Sequence, residues 1–118
     1  MLVPASSVRR VADCEGWAVL VLAGEVDLAL APALREGVDA VAGEGQSWIV
    51  LDLEQVTFMD SAGLGVVVYG MRRAEAHGGR LRLAGPGAQV RRLLQLTGAD
   101  AVIGVFADVV KACDEPCR

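Results

Sequence analysis

Residues 58–65 read Phe-Met-Asp-Ser-Ala-Gly-Leu-Gly and mark the passage from a strand to a helix. A predicted strand precedes them, and apolar residues recur at helical spacing after them. We therefore expect a helix over residues 61–77 with Asp60 or Ser61 at its N-terminus. Backbone N–H groups lack partners there, and the helix dipole favours negative charge. Because aspartate and serine are also ordinary helix caps, the local pattern leaves a purely structural role open.

Two glycines, Gly63 and Gly65, fall in the first turn of this predicted helix. Each costs about 1 kcal/mol of helix stability relative to alanine. Helix propensity therefore does not account for them, and we expect another part of the backbone to approach the helix closely at these positions.

The composition limits the class of protein. The chain has 118 residues, of which 53% are hydrophobic and 22% charged, with a net charge of -4. These values predict one globular domain and exclude a disordered chain. No apolar run reaches the roughly 18 residues of a membrane span, and the first residues lack the pattern of a secretory signal. We therefore expect a cytoplasmic protein without membrane insertion, and its acidity disfavours direct nucleic-acid binding.

The hydrophobic pattern predicts alternating strands and helices. Strands are expected over residues 8–13, 17–23, 48–53, 80–84 and 102–106. Helices are expected from Asp27 through Val41, over 61–77, over 90–97 and over 108–113. This order, β-β-α-β-α-β-α-β-α, predicts an α/β fold in which a mixed, mostly parallel sheet of about five strands carries about four helices.

Several local details complete this prediction. The unbroken apolar run at 17–23 indicates a strand covered on both faces. Residues 55–60 are expected to be a connecting loop anchored by three apolar side chains, those of Val56, Phe58 and Met59. Residues 80–84 alternate like a half-exposed strand, and Asp27 is a plausible cap for the helix that follows it.

The cysteines and the single histidine do not form a pattern typical of a metal site. Cys14, Cys113 and Cys117 contain no CxxC pair, and His77 is distant from them in sequence. We expect reduced thiols and no metal or cofactor. A serine hydrolase is also disfavoured, because Met59 stands where a nucleophile motif needs glycine. His77 would lie about 24 Å from Ser61 along the predicted helix, so we expect no enzyme activity.

Residues 57–65 (Thr-Phe-Met-Asp-Ser-Ala-Gly-Leu-Gly) closely resemble the phosphorylation-site motif of bacterial anti-sigma factor antagonists, which are members of the STAS domain family. The similarity extends over nearly the whole chain. Residues 24–27 (Gly-Glu-Val-Asp) resemble the family's Gly-Glu-hydrophobic-Asp loop, and residues 49–53 its central strand. Residues 78–81 and 90–98 resemble a later strand and helix. The resemblance implies a single STAS domain over residues 1–118, with loose termini at 1–7 and 114–118.

The resemblance also implies a function, that of an anti-sigma factor antagonist. The unphosphorylated protein would bind an anti-sigma factor that is also a GHKL-type serine kinase, and so release a sigma factor. Phosphorylation of Ser61 would abolish that binding, and a serine phosphatase would restore it. Ala62 departs from the second serine that the family often has there, which leaves Ser61 as the single acceptor. The implied partner-binding residues are Asp27, Asp60, Ser61, Ala62, Gly63 and Leu64.

Two other functions are compatible with these residues. A STAS domain can be a scaffold or an accessory module of a signalling or transport complex that no sigma-factor kinase controls. A small-molecule or nucleotide-binding module could also use the same helix N-terminus. Neighbouring genes test the first alternative, because a GHKL-type kinase or sigma factor gene favours the antagonist and transporter genes oppose it. Calorimetry with nucleotides tests the second alternative.

Overall fold

The computed structural model describes residues 5–114, and its elements follow the predicted order. The strands are β1 (Ser7–Cys14), β2 (Trp17–Val26), β3 (Trp48–Met59), β4 (Arg80–Ala84) and β5 (Gly104–Phe106). The helices are α1 (Ala31–Gly43), α2 (Ser61–Ala76), α3 (Ala88–Thr97) and α4 (Val109–Ala112), with a 3₁₀ turn at Ala99–Ala101. The predicted α/β class and element order are confirmed.

The five strands form one sheet in the order β1-β2-β3-β4-β5. β1 is antiparallel to β2, and every other neighbouring pair is parallel. Each parallel pair needs a connection that crosses the sheet, which explains why a helix separates successive strands from β2 onward. The carboxyl ends of β2, β3, β4 and β5 therefore meet at one edge of the sheet.

One face of the sheet packs against α1, α2 and α3. Side chains alternate between the two faces of a strand, so every second residue contributes to this face. Leu20, Leu51 and Leu83 are fully or almost fully buried here. The helices contribute buried residues at helical spacing, which are Leu34, Val38, Val41, Leu64, Val67, Ala74, Val90 and Leu94. This face, which we call the three-helix face, holds most of the apolar core.

The opposite face is covered by α4, and we call it the α4 face. Its buried cluster consists of Trp17, Val19, Val50, Ala84, Ala112 and Cys113. The prediction that β2 is covered on both faces is confirmed, because its residues are buried from Trp17 to Gly24.

Arg82 corrects the prediction of a half-exposed β4. Only 6% of its surface is exposed. Its guanidinium carbon lies 4.7 Å from the ring centroids of both Trp17 and Phe106, and its Nη1 donates a hydrogen bond to the Ala112 carbonyl at 2.9 Å. The charge is tolerated inside because two aromatic faces and a carbonyl replace part of its hydration.

Several predicted boundaries were wrong. β2 ends at Val26 rather than at residue 23, because residues 24–26 still pair with β3. The loop predicted at 55–60 is strand up to Met59, because β3 continues to pair with β2 through two shifts of register. The last strand begins at Gly104 rather than at residue 102, because a 3₁₀ turn comes before it. The helix predicted from Asp27 begins at Ala31, with Leu30 as its N-cap. Asp27 instead stabilises the preceding turn, where its Oδ1 accepts a hydrogen bond from the Leu30 N–H at 3.1 Å.

Two residues of the predicted loose segment 1–7, Ser6 and Ser7, take part in the fold. β1 already begins at Ser7, and the Ser6 hydroxyl accepts a hydrogen bond from the Glu25 N–H at 3.0 Å. Residues 1–4 and 115–118, including Cys117, lie outside the described residues.

Candidate functional site

The Ser61 motif lies where β2 and β3 end beside each other. Val26 and Met59 are paired across these parallel strands, so the residues that follow them leave the sheet at the same edge. Those residues are Asp27 and Asp60, and the Asp60 N–H donates to the Val26 carbonyl at 3.2 Å. The structure thus brings together two aspartates that are 33 positions apart in sequence.

Asp60 is the N-cap of α2. Its backbone is extended, and its Oδ1 accepts a hydrogen bond from the Gly63 N–H at 3.0 Å. Ser61 is the first residue of the helix, and this residue is exposed to solvent. The N–H groups of Ser61 and Ala62 belong to the first turn, where no carbonyl of the helix can accept them. Ser61 thus presents its hydroxyl at the positive end of the helix dipole.

Gly63 confirms the expectation of a close backbone approach, whereas Gly65 does not. A Cβ on Gly63 would overlap the Val26 carbonyl oxygen and approach the Val26 Cγ1 to 2.9 Å. A Cβ on Gly65 would have nothing within 4 Å, and this glycine is exposed. The expectation for Gly65 was therefore wrong. The first turn of α2 lies against the end of β2 through Gly63 and turns Gly65 outward.

The remaining two residues of the motif differ in exposure. Ala62 is half-buried, and Leu64 is buried in the core of the three-helix face. Of the six residues named for partner binding, Ser61 presents an exposed side chain, while Asp27, Asp60 and Ala62 are half-buried beside it. Gly63 and Leu64 are buried and support this surface from below.

Gln89 holds the strand end in place, and sequence reasoning did not identify it. Its Oε1 accepts a hydrogen bond from the Met59 N–H at 2.8 Å, and its Nε2 donates to the Met59 carbonyl at 2.8 Å. At the last residue of β3, this side chain of α3 therefore makes the two backbone hydrogen bonds that a neighbouring strand would otherwise make. No sequence signal indicates it, because the two residues lie 30 positions apart.

Two apolar side chains are exposed, one within the motif and one beside Asp27, and sequence reasoning missed both exposures. Phe58 is 41% exposed and Leu28 is 74% exposed, although Phe58 was expected to anchor a loop. The other two expected anchors, Val56 and Met59, are buried. Phe58 pairs with the exposed Glu25 across β2 and β3. The surface around Ser61 thus combines apolar and acidic groups.

The geometry does not assemble a hydrolase site around Ser61. His77 is the C-cap of α2, at the far end of the 16-residue helix that Ser61 begins. Within residues 5–114, no group of three or more potential metal ligands is found. The helices in this part of the chain are also too short or too polar to cross a membrane.

Comparison with known proteins agrees with this geometry. The STAS domain model matches residues 8–112. The anti-sigma-B factor antagonist of Bacillus subtilis is 36% identical over 86 residues, which cover 73% of this chain and 78% of that protein. The anti-sigma-F factor antagonist RsfB of Mycobacterium tuberculosis is 32% identical over 107 residues, or 91% of this chain and 87% of that protein.

A solved structure extends the similarity to three dimensions. The Bacillus cell fate determinant SpoIIAA in its phosphorylated form superimposes with a TM-score of 0.72 and 28% sequence identity. The match covers 92% of this chain and 97% of SpoIIAA. Strand order, the strand-end motif and the match over nearly all of the sequence lead to one conclusion: this chain belongs to the STAS domain family.

Proposed function

We propose that this protein is an anti-sigma factor antagonist that is controlled by phosphorylation of Ser61. The relatives from Bacillus subtilis and Mycobacterium tuberculosis are named as antagonists of anti-sigma factors. One structural relative is described in a phosphorylated form. The partner in this proposal is an anti-sigma factor with GHKL-type serine kinase activity, and a serine phosphatase reverses the modification. We also propose that the protein acts in the cytoplasm and has no enzyme activity of its own.

The observation that carries the proposal is the exposure of Ser61, the first residue of α2. The hydroxyl oxygen attacks the γ-phosphorus of ATP held by the kinase. An O–P bond forms at Ser61, the bond to the β-phosphate oxygen breaks, and ADP leaves while the hydroxyl proton is lost. The hydroxyl is accessible for this reaction without any unfolding of the helix.

Phosphorylation changes the charge of the surface more than its shape. The phosphate adds about -1.5 to -2 charges beside the carboxylates of Asp27 and Asp60. The helix N-terminus tolerates this anion in the free protein, because two unpaired N–H groups and the dipole favour it. A partner that covers Ser61 would have to strip water from the phosphate, which is costly without a compensating cation. The modified protein therefore dissociates.

The neighbouring residues have separate roles in this proposal. Asp60 fixes the start of α2 through the hydrogen bond to Gly63, so that the acceptor hydroxyl has a defined position. Asp27 lies beside it and supplies a second acidic group toward the kinase. Phe58 and Leu28 provide the apolar contacts that a partner needs around such a polar centre, since both are exposed in the free protein.

The test compares Ser61→Ala with Ser61→Glu in binding and phosphorylation assays. The protein is incubated with ATP and each GHKL-type serine kinase of its source organism, and the modified residue is identified by mass spectrometry. We expect a single phosphoserine at Ser61 and none in Ser61→Ala. Binding of the same kinase, measured by calorimetry, should be retained in Ser61→Ala and weakened at least about 100-fold in Ser61→Glu.

A matched control separates the charge from the loss of the hydroxyl. The glutamine side chain of Ser61→Gln has nearly the size of glutamate but no charge. This variant should therefore bind the kinase more tightly than Ser61→Glu does. Equal affinities of the alanine and glutamate variants would contradict the charge switch. Full phosphorylation of Ser61→Ala would show that the acceptor is another residue.

A further inference from the structure

Cys14 lies on the α4 face because of an irregularity in β1. Val8 packs against the three-helix face, and Val11 packs against the α4 face. Regular alternation would return residue 14 to the three-helix face, since it is six residues after Val8. The register with β2 shifts by one residue between Val11 and Cys14, so Cys14 instead packs on the α4 face with Val11. The insertion of one residue in β1 therefore determines which cluster Cys14 joins.

The hairpin turn then fixes the position of Cys14. The next two residues, Glu15 and Gly16, both have positive φ angles, of 51° and 86°. Such a pair is typical of the tight turn that joins two antiparallel strands. Cys14 pairs directly with Trp17 across this turn. Cys14 is half-buried, and is therefore the more exposed of the two described cysteines.

Cys113 reaches the same cluster from the other end of the chain. It is fully buried and is the C-cap residue of α4, where its N–H donates to the Val109 carbonyl at 3.0 Å. Asp108 fixes the start of this helix, because its Oδ1 accepts a hydrogen bond from the Lys111 N–H at 2.8 Å. Burial, followed by the neighbouring Cys14 thiol, raises the pKa of the Cys113 thiol to about 12. Both thiols are free, and both side chains pack in or against the buried cluster of the α4 face.

We propose that Cys14 and Cys113 are a redox modification site, and that peroxide converts this pair to a disulfide that ties α4 to the β1–β2 hairpin. The inference does not depend on the function proposed for Ser61. It starts from the two free thiols, so forming the bond needs an external oxidant.

The accessible cysteine reacts first. The Cys14 thiolate attacks hydrogen peroxide, an S–O bond forms, the O–O bond breaks, and water is released after protonation. The Cys113 sulfur then attacks the Cys14 sulfur, so that an S–S bond forms and the S–O bond breaks. The hydroxide that leaves takes the Cys113 proton and becomes a second water. The two sulfurs lose two electrons in total, and the peroxide gains them.

The disulfide would close a loop of nearly the whole described chain. Residues 14 and 113 belong to the first strand and the last helix, and the cross-link would restrict the unfolded chain accordingly. Ser61 begins α2, whose buried side chains pack on the other face of the sheet. The cross-link therefore holds the α4 layer closed without covering the Ser61 hydroxyl.

In the experiment, the folded Cys117→Ser variant is oxidised with hydrogen peroxide. A protease that cleaves on the amino side of aspartate then digests it, and mass spectrometry maps the disulfides. This cleavage releases residues 13–26 and 108–113 as separate peptides, and it separates residue 113 from residue 117. We expect these two peptides to be joined, with the loss of two hydrogen atoms, and to separate after reduction. The oxidised protein should melt higher than the reduced protein by on the order of 10 °C.

Three comparisons make the result decisive. Cys14→Ser in the same background should form no disulfide and lack the shift in melting temperature. The linkage should form about tenfold or more faster in native buffer than in concentrated urea, because the fold holds the two sulfurs together. In the protein that keeps Cys117, the 13–26 peptide should still join the 108–113 peptide. The proposal would be overturned if the Cys14–Cys113 disulfide formed only in urea, or if Cys14 or Cys113 became linked to Cys117 instead. It would also be overturned if both thiols stayed unreacted after peroxide treatment of the folded protein.

Discussion

The two faces of the sheet are closed by different kinds of contact. The three-helix face is filled by aliphatic side chains from three helices, such as Leu34, Val67 and Leu94. The α4 face has a helix of only four residues, and its cluster depends on Trp17 and the guanidinium of Arg82. Trp17 and Trp48 also pack edge to face, with ring centroids 5.3 Å apart.

The difference shows how a face of the sheet can be closed with only a short helix packed on it. Aromatic side chains bury much more area per residue than aliphatic ones do, so few residues are needed where they are used. The long stem of Arg82 adds apolar surface, and its charged end is accommodated between two rings. The three-helix face depends on close aliphatic packing, whereas the α4 face depends on a few large planar groups.

The largest effect on the free energy of unfolding should come from substitutions in β4, where Leu83 and Arg82 are neighbours on opposite faces of the sheet. Leu83→Ala removes a fully buried side chain from the three-helix face and should lower the free energy of unfolding by about 3–4 kcal/mol. Arg82→Ala should cost less, about 2–3 kcal/mol. Arg82→Met, which keeps the stem, should cost about 1 kcal/mol or less. Urea denaturation measures all three.

The outcome distinguishes packing from charge on the α4 face. If Arg82→Met destabilises the protein as much as Arg82→Ala does, the guanidinium charge rather than its stem closes this face. If Leu83→Ala costs less than Arg82→Ala, the contrast between the two faces is wrong.

A smaller effect is expected at the first turn of α2, on the three-helix face. Gly63→Ala should lower the free energy of unfolding by about 1–3 kcal/mol, because the new methyl group overlaps the Val26 carbonyl. Gly65→Ala is the matched control, since a Cβ there meets nothing within 4 Å. We expect this control to be neutral or to stabilise the helix by up to about 1 kcal/mol. Thermal denaturation of both variants tests the close contact, and equal costs would contradict it.

The smallest effect concerns the pH dependence of the α4 face. The pKa of Cys113 rises from the ordinary 9.0 to about 12 on folding. The native thiol therefore keeps its proton at a pH where the unfolded chain loses it. Stability should be unaffected well below pH 9. Between about pH 8 and about pH 10 it should fall by about 1 kcal/mol, since each pH unit above 9 costs at most about 1.4 kcal/mol.

Cys113→Ala isolates this contribution from the other groups that titrate in alkali. The difference in urea midpoint between the wild-type protein and this variant is measured at about pH 8 and about pH 10, under reducing conditions. We expect the wild-type protein to lose more stability over that interval. The same loss in both proteins would show that burial does not hold the proton on Cys113.

Local patterns predicted much of the site. Asp60 caps α2, Ser61 is exposed at its first residue, and Gly63 meets another backbone, as their positions before an apolar helix indicated. Gln89 was missed because its partner Met59 belongs to a different element. Phe58 was misjudged because an apolar residue near a strand end carries no local mark of the face to which it points.

The sequence by itself determined the order of strands and helices, the family resemblance and the position of a serine at a helix start. These depend on residues close together in the chain, through periodicity, capping and motif spacing. Tertiary structure alone decided that Gln89 holds Met59, that Arg82 is buried between two rings, and that Cys14 joins Cys113. Each of these depends on strand register or on contact between distant elements, because a shift of one residue changes which face a side chain occupies.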